Sequence, residues 1–324
     1  MNDLDPAPRE PEQNPTLAPE QTPPLEPEQT PPLDWRNADE PTDLFQSWAQ
    51  PEAAAPARIP HLGHLCLLVA LTLLGLVCAT LLLMMASHFH LLGGFSVKQA
   101  ATNIRYILGE EAAIYLVTLA LSLMVFPLFW DQSFFAGIHW RGATALHLGW
   151  RLPAISLGCF ALAALDETLL PGPSTAPIEE IFRTPGAAWL MFGFAITLAP
   201  FFEEVAFRGF LLPALATACD WIAERFTGKP PRPLDQNGHP QWSIPAMVIA
   251  AIATSLPFAL VHAEQQGHAL GPFLLLIAVS LVLCAVRLVT RSLAASVVVH
   301  ACYNFLLFSL MMVGTAGFRH LEKM

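Results

Sequence analysis

Charged side chains are scarce in this sequence, at 13% of its residues, whereas hydrophobic residues make up 54%. Soluble globular domains carry about 25% charged residues, so this composition excludes an ordinary soluble domain and predicts a polytopic membrane protein. The few charges are unevenly spread, because 12 of the 26 acidic residues precede residue 60, against three basic ones. The net charge of −10 therefore belongs mostly to one tail. No basic patch predicts a nucleic-acid partner.

Two cysteine and histidine patterns are also missing, the CxxC pair and the HExxH motif of many zinc proteases. The six cysteines lie within or beside apolar runs, which favours buried apolar side chains over disulfides or zinc ligands. They are Cys66, Cys78, Cys159, Cys219, Cys284 and Cys302.

Residues 1–57 are rich in Pro, Glu, Gln and Thr, and the heptapeptide Pro-Glu-Gln-Thr-Pro-Pro-Leu occurs twice, at 19–25 and 27–33. Such a segment buries too little apolar area to offset its ordering entropy, so we expect a disordered Pro/Glu-rich tail. The repeats serve either as an unspecific tether or as a docking motif.

Apolar runs of spanning length predict an all-α polytopic transmembrane helical bundle of about seven or eight spans. The seven runs cover residues 65–86, 112–130, 152–165, 187–212, 245–262, 273–288 and 293–313. Residues 213–244 are expected to form the longest internal loop. Lys and Arg near the span ends number eight on one side and five on the other, which favours a cytoplasmic N-terminus.

The fourth run contains Glu203-Glu204-x-x-x-Arg208, three charged residues that cost about 2.5–3.5 kcal/mol each on insertion scales. Glu204 and Arg208 are four residues apart and can pair on a helix, while Glu203 points about 100° away. Arg208 can therefore neutralise one carboxylate and leave Glu203 free to act as a general base.

Two further spans carry polar pairs with helical spacing. Phe258 precedes His262 by one turn, and His300 precedes Asn304 by one turn. Together with Glu203 these are the parts of a water-activating site with an oxyanion donor pair. Taken singly, each has a structural alternative, either a buried ion pair or a hydrogen bond between helices.

The order and spacing of these groups resemble the CPBP family of intramembrane proteases, also called the Abi or CAAX-protease family, which includes the type 2 CAAX prenyl endopeptidases. The resemblance rests on the segments at 176–182, 199–210, 257–262 and 291–304, which contain intact EExxxR, FxxxH and HxxxN motifs. It implies a catalytic transmembrane core at 171–315, after N-terminal transmembrane helices at 58–170 and before a C-terminal tail at 316–324.

The resemblance also implies a role for each motif residue. Glu203 would activate water, His262 would hold and polarise it, and His300 and Asn304 would stabilise the oxyanion. The supporting residues would be Glu204, Arg208 and Phe258. No cofactor is required in this interpretation; in the alternative, Glu203, His262 and His300 bind zinc.

The function expected is that of an intramembrane endopeptidase. Its partners would be the lipid bilayer and a substrate that is a membrane protein or a lipidated or hydrophobic peptide. We expect it in a bacterial inner membrane with the N-terminus inside. A non-proteolytic scaffold and a proton-relay transporter are the rivals, although no half of the chain repeats the EExxxR pattern as an inverted-repeat transporter would.

The depths of the candidate site residues in the membrane, counted along the expected spans, differ too much for one shared site. Counted from the cytoplasmic ends of the expected spans, Glu203 and His300 lie about 11–14 Å deep, but His262 lies about 26 Å deep. Span five must therefore enter the membrane later than expected, or the bundle must be less regular than hydropathy suggests.

Overall fold

A computed structural model describes residues 58–91, 97–100, 102–170, 186–235 and 240–318. The predicted tail at 1–57, most of the loop that precedes the fourth span and residues 319–324 lie outside the described residues. The described part is helical, with one isolated bridge between Leu234 and Pro240. This confirms the all-α fold class.

Thirteen α-helices and one π-helical segment make up the described chain. The helices are α1 (Leu62–His88), α2 (Val97–Ala100), α3 (Ile104–Val125), α4 (Pro127–Trp130), α5 (Phe134–Gly137), α6 (Gly142–Leu148), α7 (Arg151–Leu169), α8 (Ala187–Ile196), α9 (Leu198–Glu204), α10 (Leu212–Thr227), α11 (Ile244–Ala263), α12 (Leu270–Thr290) and α13 (Leu293–Gly314). The π-segment covers Val205–Leu211, between α9 and α10.

Seven of these helical stretches are long and apolar enough to cross a membrane. They are α1, α3 with α4, α7, the stretch from α8 to α10, α11, α12 and α13. The chain is therefore an integral membrane protein, as predicted.

The fourth span is longer than the sequence predicted. It runs from Ala187 to Thr227, so residues 213–227 are helical and do not belong to a loop. Hydropathy misses this part because α10 is amphipathic, with Ala216, Thr217 and Asp220 buried against the bundle while Trp221 and Phe226 are exposed.

The same span is irregular just before the two glutamates. Thr197 leaves helical geometry with φ −125° and ψ −78°, and its hydroxyl donates to the carbonyl oxygen of Gly193 at 2.6 Å. Pro200 has no N–H to continue the hydrogen-bond ladder across this point. Immediately after Glu204 the backbone changes to π-helical geometry, which widens the turn that carries Arg208.

Two packed clusters hold the motif-bearing helices together. Leu283 of α12 and Val299 of α13 lie in a core against α7, where the Ser156 hydroxyl donates to the carbonyl oxygen of Val299 at 2.8 Å. In the second cluster, Phe210 of the π-segment packs among Phe126, Trp130 and Phe134, with its ring centroid 4.9–6.2 Å from theirs.

The cysteines form no disulfide, and all six are free thiols. Cys159 and Cys284 are buried, as expected for apolar side chains, whereas Cys66 is exposed and the other three are partly buried. The prediction of burial was therefore wrong for Cys66, since hydropathy cannot tell which face of a span meets its neighbours.

Candidate active site

Glu204 and Arg208 form the predicted ion pair in a fully buried position. The Arg208 Nη1 atom lies 2.8 Å from Glu204 Oε1, and both side chains are 0% exposed. The Arg208 Nη2 atom donates to the hydroxyl and to the carbonyl oxygen of Ser280 on α12, at 2.7 and 3.1 Å. Its guanidinium carbon stands 4.5 Å from the centroid of the Phe258 ring, a cation–π contact that joins α11 to the pair.

The Glu204 carboxylate also receives two hydrogen bonds from α13. Ser296 donates its hydroxyl to Oε2, and the Nδ1 atom of His300 lies 3.0 Å from Oε1. Paired with Arg208, Glu204 is an ionised carboxylate, and its oxygens can only accept hydrogen bonds. The Nδ1 atom of His300 therefore carries the hydrogen. Glu204 therefore orients the His300 ring.

Glu203 points to a different side of the helix, as predicted, and stands between two imidazole rings. Its Oε1 atom is 3.6 Å from Nε2 of His262, and its Oε2 atom is 3.7 Å from Nε2 of His300. These separations exceed direct hydrogen-bond lengths. Oε2 is buried and has no hydrogen-bond partner among the described residues.

The ring of His262 is oriented in the same way as that of His300. Its Nδ1 atom lies 2.8 Å from the backbone carbonyl oxygen of Phe258, which can only accept, so Nδ1–H is the donor. In their neutral forms both rings then present an Nε2 lone pair to Glu203. One carboxylate and two imidazoles from three helices therefore converge on one space.

The depth conflict is resolved, since His262 does reach Glu203. The count placed the cytoplasmic end of span four at Leu212, whereas the helix continues to Thr227, so residue counts along the expected spans do not give comparable depths. The break at Thr197 and the π-segment add further irregularity.

Asn304 lies one turn beyond His300 on α13 and donates its amide nitrogen to the carbonyl oxygen of Ala195 at 2.8 Å. An amide nitrogen carries two hydrogens, so one remains. Asn304, Glu203, His262 and His300 all line one cavity of about 640 Å³. Phe258 also lines it, 4.8 Å from the His262 ring by centroids.

The three residues of the zinc alternative line the same cavity. Glu203, His262 and His300 supply the donor types that zinc prefers. In the described part of the chain, however, no group of three or more His, Cys, Asp and Glu side chains is arranged to hold a metal ion.

Sequence reasoning missed Ser280 and Ser296. Ser296, His300 and Asn304 are spaced by four residues, and this polar stripe on an apolar helix would have revealed Ser296. Ser280 has no such neighbour on α12 and gives no sequence signal. Glu111 of α3, which lines the cavity, was also missed.

Residues 185–306 match the family model described as "Type II CAAX prenyl endopeptidase Rce1-like". This segment is similar to the CAAX-protease family. All four residues that converge on the cavity fall inside the matched segment. The matched family is a family of proteases, and the seven apolar helices place the chain in a membrane. No curated protein and no solved structure shows significant similarity to it.

Proposed function

We propose that this membrane protein cleaves a peptide bond of a membrane protein, or of a lipidated or hydrophobic peptide, with Glu203 as the general base. The observation that carries the proposal is the position of its carboxylate between the Nε2 atoms of His262 and His300, at 3.6 and 3.7 Å, on the wall of the cavity. A water in the cavity beside these atoms can hydrogen-bond to the carboxylate and to an imidazole nitrogen.

In this mechanism the water donates one hydrogen to Glu203 and the other to Nε2 of His262. Glu203 removes a proton as the water oxygen bonds to the carbonyl carbon of the substrate. The tetrahedral intermediate collapses, the C–N bond breaks, and Glu203 returns the proton to the leaving nitrogen. Water is consumed and no other reactant is needed.

The negative charge of the intermediate needs hydrogen-bond donors that are already in place. Asn304 supplies its remaining amide hydrogen, and His300 supplies Nε2–H when doubly protonated. The buried pair of Glu204 and Arg208 acts indirectly, because it fixes the ring of His300. Phe258 contacts both this pair and His262, and so links the two parts of the site.

Purified protein in proteoliposomes, given candidate membrane peptides, tests the role of Glu203. We expect Glu203→Gln to lower kcat by about 100-fold or more, the range typical of a lost general base. Glu264→Gln is the matched control, since this carboxylate is exposed just past the end of α11. Equal cleavage by wild type and Glu203→Gln would refute the assignment.

The rivals predict different outcomes. In a non-proteolytic scaffold, Glu203→Gln and His300→Ala would lower thermal stability without a loss of hydrolysis. For the zinc alternative, the same assay is repeated after chelation, with elemental analysis of the purified protein. We expect activity to persist; stoichiometric zinc together with chelator-sensitive cleavage would show a metalloprotease.

A further inference from the structure

Glu111 is a second carboxylate in the cavity for which the proposed mechanism has no use. It lies on α3, inside the second membrane span, and lines the same cavity as Glu203. A carboxylate within a span is costly to insert, and such residues usually have a partner or a function.

The Glu111 carboxylate is held in place by a neighbouring tyrosine. The Tyr115 hydroxyl donates to its Oε1 atom at 2.8 Å, and the Tyr115 ring stacks on Phe202 with centroids 4.6 Å apart. A carboxylate accepts about four hydrogen bonds, so the described residues leave most of its capacity unused. No lysine or arginine of the described chain lies within ion-pair distance of it.

Apart from His262 and His300, which belong to the catalytic site, the described cavity wall carries no basic side chain. Asp166 and Glu167, at the end of α7, also line it, and its described lining contains no lysine or arginine. The remaining wall is largely apolar, with side chains such as Leu276 and Leu307. The cavity thus combines an apolar surface with acidic groups.

We propose that Glu111 binds a cationic side chain of the substrate, a lysine or arginine close to the bond that is cut. This rests on the proposed function, because the same cavity holds Glu203. The apolar wall takes the hydrophobic part of the peptide, and Tyr115 keeps the carboxylate aimed. A substrate with an acidic residue at that position is rejected by like-charge repulsion.

Matched peptides test this specificity. Each peptide carries one lysine, norleucine or glutamate at a given position, and the position is moved along both sides of the cleaved bond. We expect wild type to prefer lysine over norleucine by at least about tenfold in kcat/KM at one position, as is common for a paired charge. Glu111→Gln should bring this ratio close to one.

Glu110→Gln is the control, because the neighbouring Glu110 accepts from Thr80 at 3.0 Å and is not part of the cavity lining. It should keep the lysine preference. If wild type treats lysine and norleucine alike at every position, or if Glu111→Gln keeps the preference, the proposal is wrong even though the protein is a protease.

A binding measurement separates this proposal from the catalytic one. The Glu203→Gln variant is titrated with fluorescent lysine and norleucine peptides, with and without Glu111→Gln. Tighter binding of the lysine peptide that disappears with Glu111→Gln supports the subsite, even where no cleavage is found. Equal binding of both peptides overturns it.

Discussion

Glu203 and Glu204 are adjacent in sequence but meet opposite electrostatic environments. Glu204 is 0% exposed and contacts Arg208, Ser296 and His300. The side chain of Glu203 is 20% exposed and faces the cavity with one oxygen unpartnered among the described residues. The Glu204 carboxylate therefore stabilises the structure, and the Glu203 carboxylate is available to bind a water molecule.

This division predicts different effects of the same substitution on stability. Glu204→Gln leaves the Arg208 guanidinium buried without a counter-charge, which typically costs about 3–5 kcal/mol. Glu203→Gln removes no ion pair with a permanent cation, and we expect little change. Thermal unfolding of both variants in detergent measures the difference. Equal melting temperatures for the two variants would contradict the division.

The helix of the fourth span is irregular on both sides of the two glutamates. Its break at Thr197 lies six residues before Glu203, and its π-segment begins at Val205, directly after Glu204. π-Turns inside helices are frequent at functional sites because they alter which side chains share a face. Here Arg208 still reaches Glu204 across the transition.

Hydropathy and motif spacing predicted the seven spans, the Glu204–Arg208 pair and the set of residues that meet at the cavity. The true length of span four was not predictable by the same means, because α10 is stabilised by packing of Ala216 and Asp220 and not by apolar length. Contacts between distant helices, such as Ser280 with Arg208, follow from tertiary packing and have no local signal.

Close approach between helices gives a prediction at the junction of α7 and α12. A Cβ atom on Gly271 would stand 2.3 Å from the carbonyl oxygen of Leu170, a backbone atom that cannot move aside. We expect Gly271→Ala to destabilise the protein by about 1–3 kcal/mol, as overpacking does. The variant should also lower activity, because Pro272, the next residue, lines the cavity.

The matched control is Gly158→Ala on α7, where nothing lies within 4 Å of the added methyl group. A glycine in a helix interior costs about 0.5–1 kcal/mol relative to alanine, so this variant should be slightly stabilised. Thermal unfolding of the pair measures both effects. A Gly271→Ala protein as stable as Gly158→Ala would contradict the close contact.

At the scale of the whole molecule, polar contacts gather at one end of the bundle. Arg58, just before α1, pairs with Glu224 of α10 at 2.7 Å, and Arg291, just after α12, pairs with Asp235 at 2.9 Å. The start of α1 and the ends of α10 and α12 therefore lie on one side. That side also carries Lys229, and the excess of basic residues there favours a cytoplasmic position.

Cysteine labelling in intact cells tests this orientation, starting from a variant without the native cysteines. Lys229→Cys follows α10 on the basic side, and His268→Cys lies in the exposed turn between α11 and α12, at the opposite end of α11. With the N-terminus inside, a membrane-impermeant maleimide should label His268→Cys in intact cells and Lys229→Cys only after permeabilisation. The reverse pattern would place the N-terminus outside, and the basic residues would then not follow the positive-inside rule.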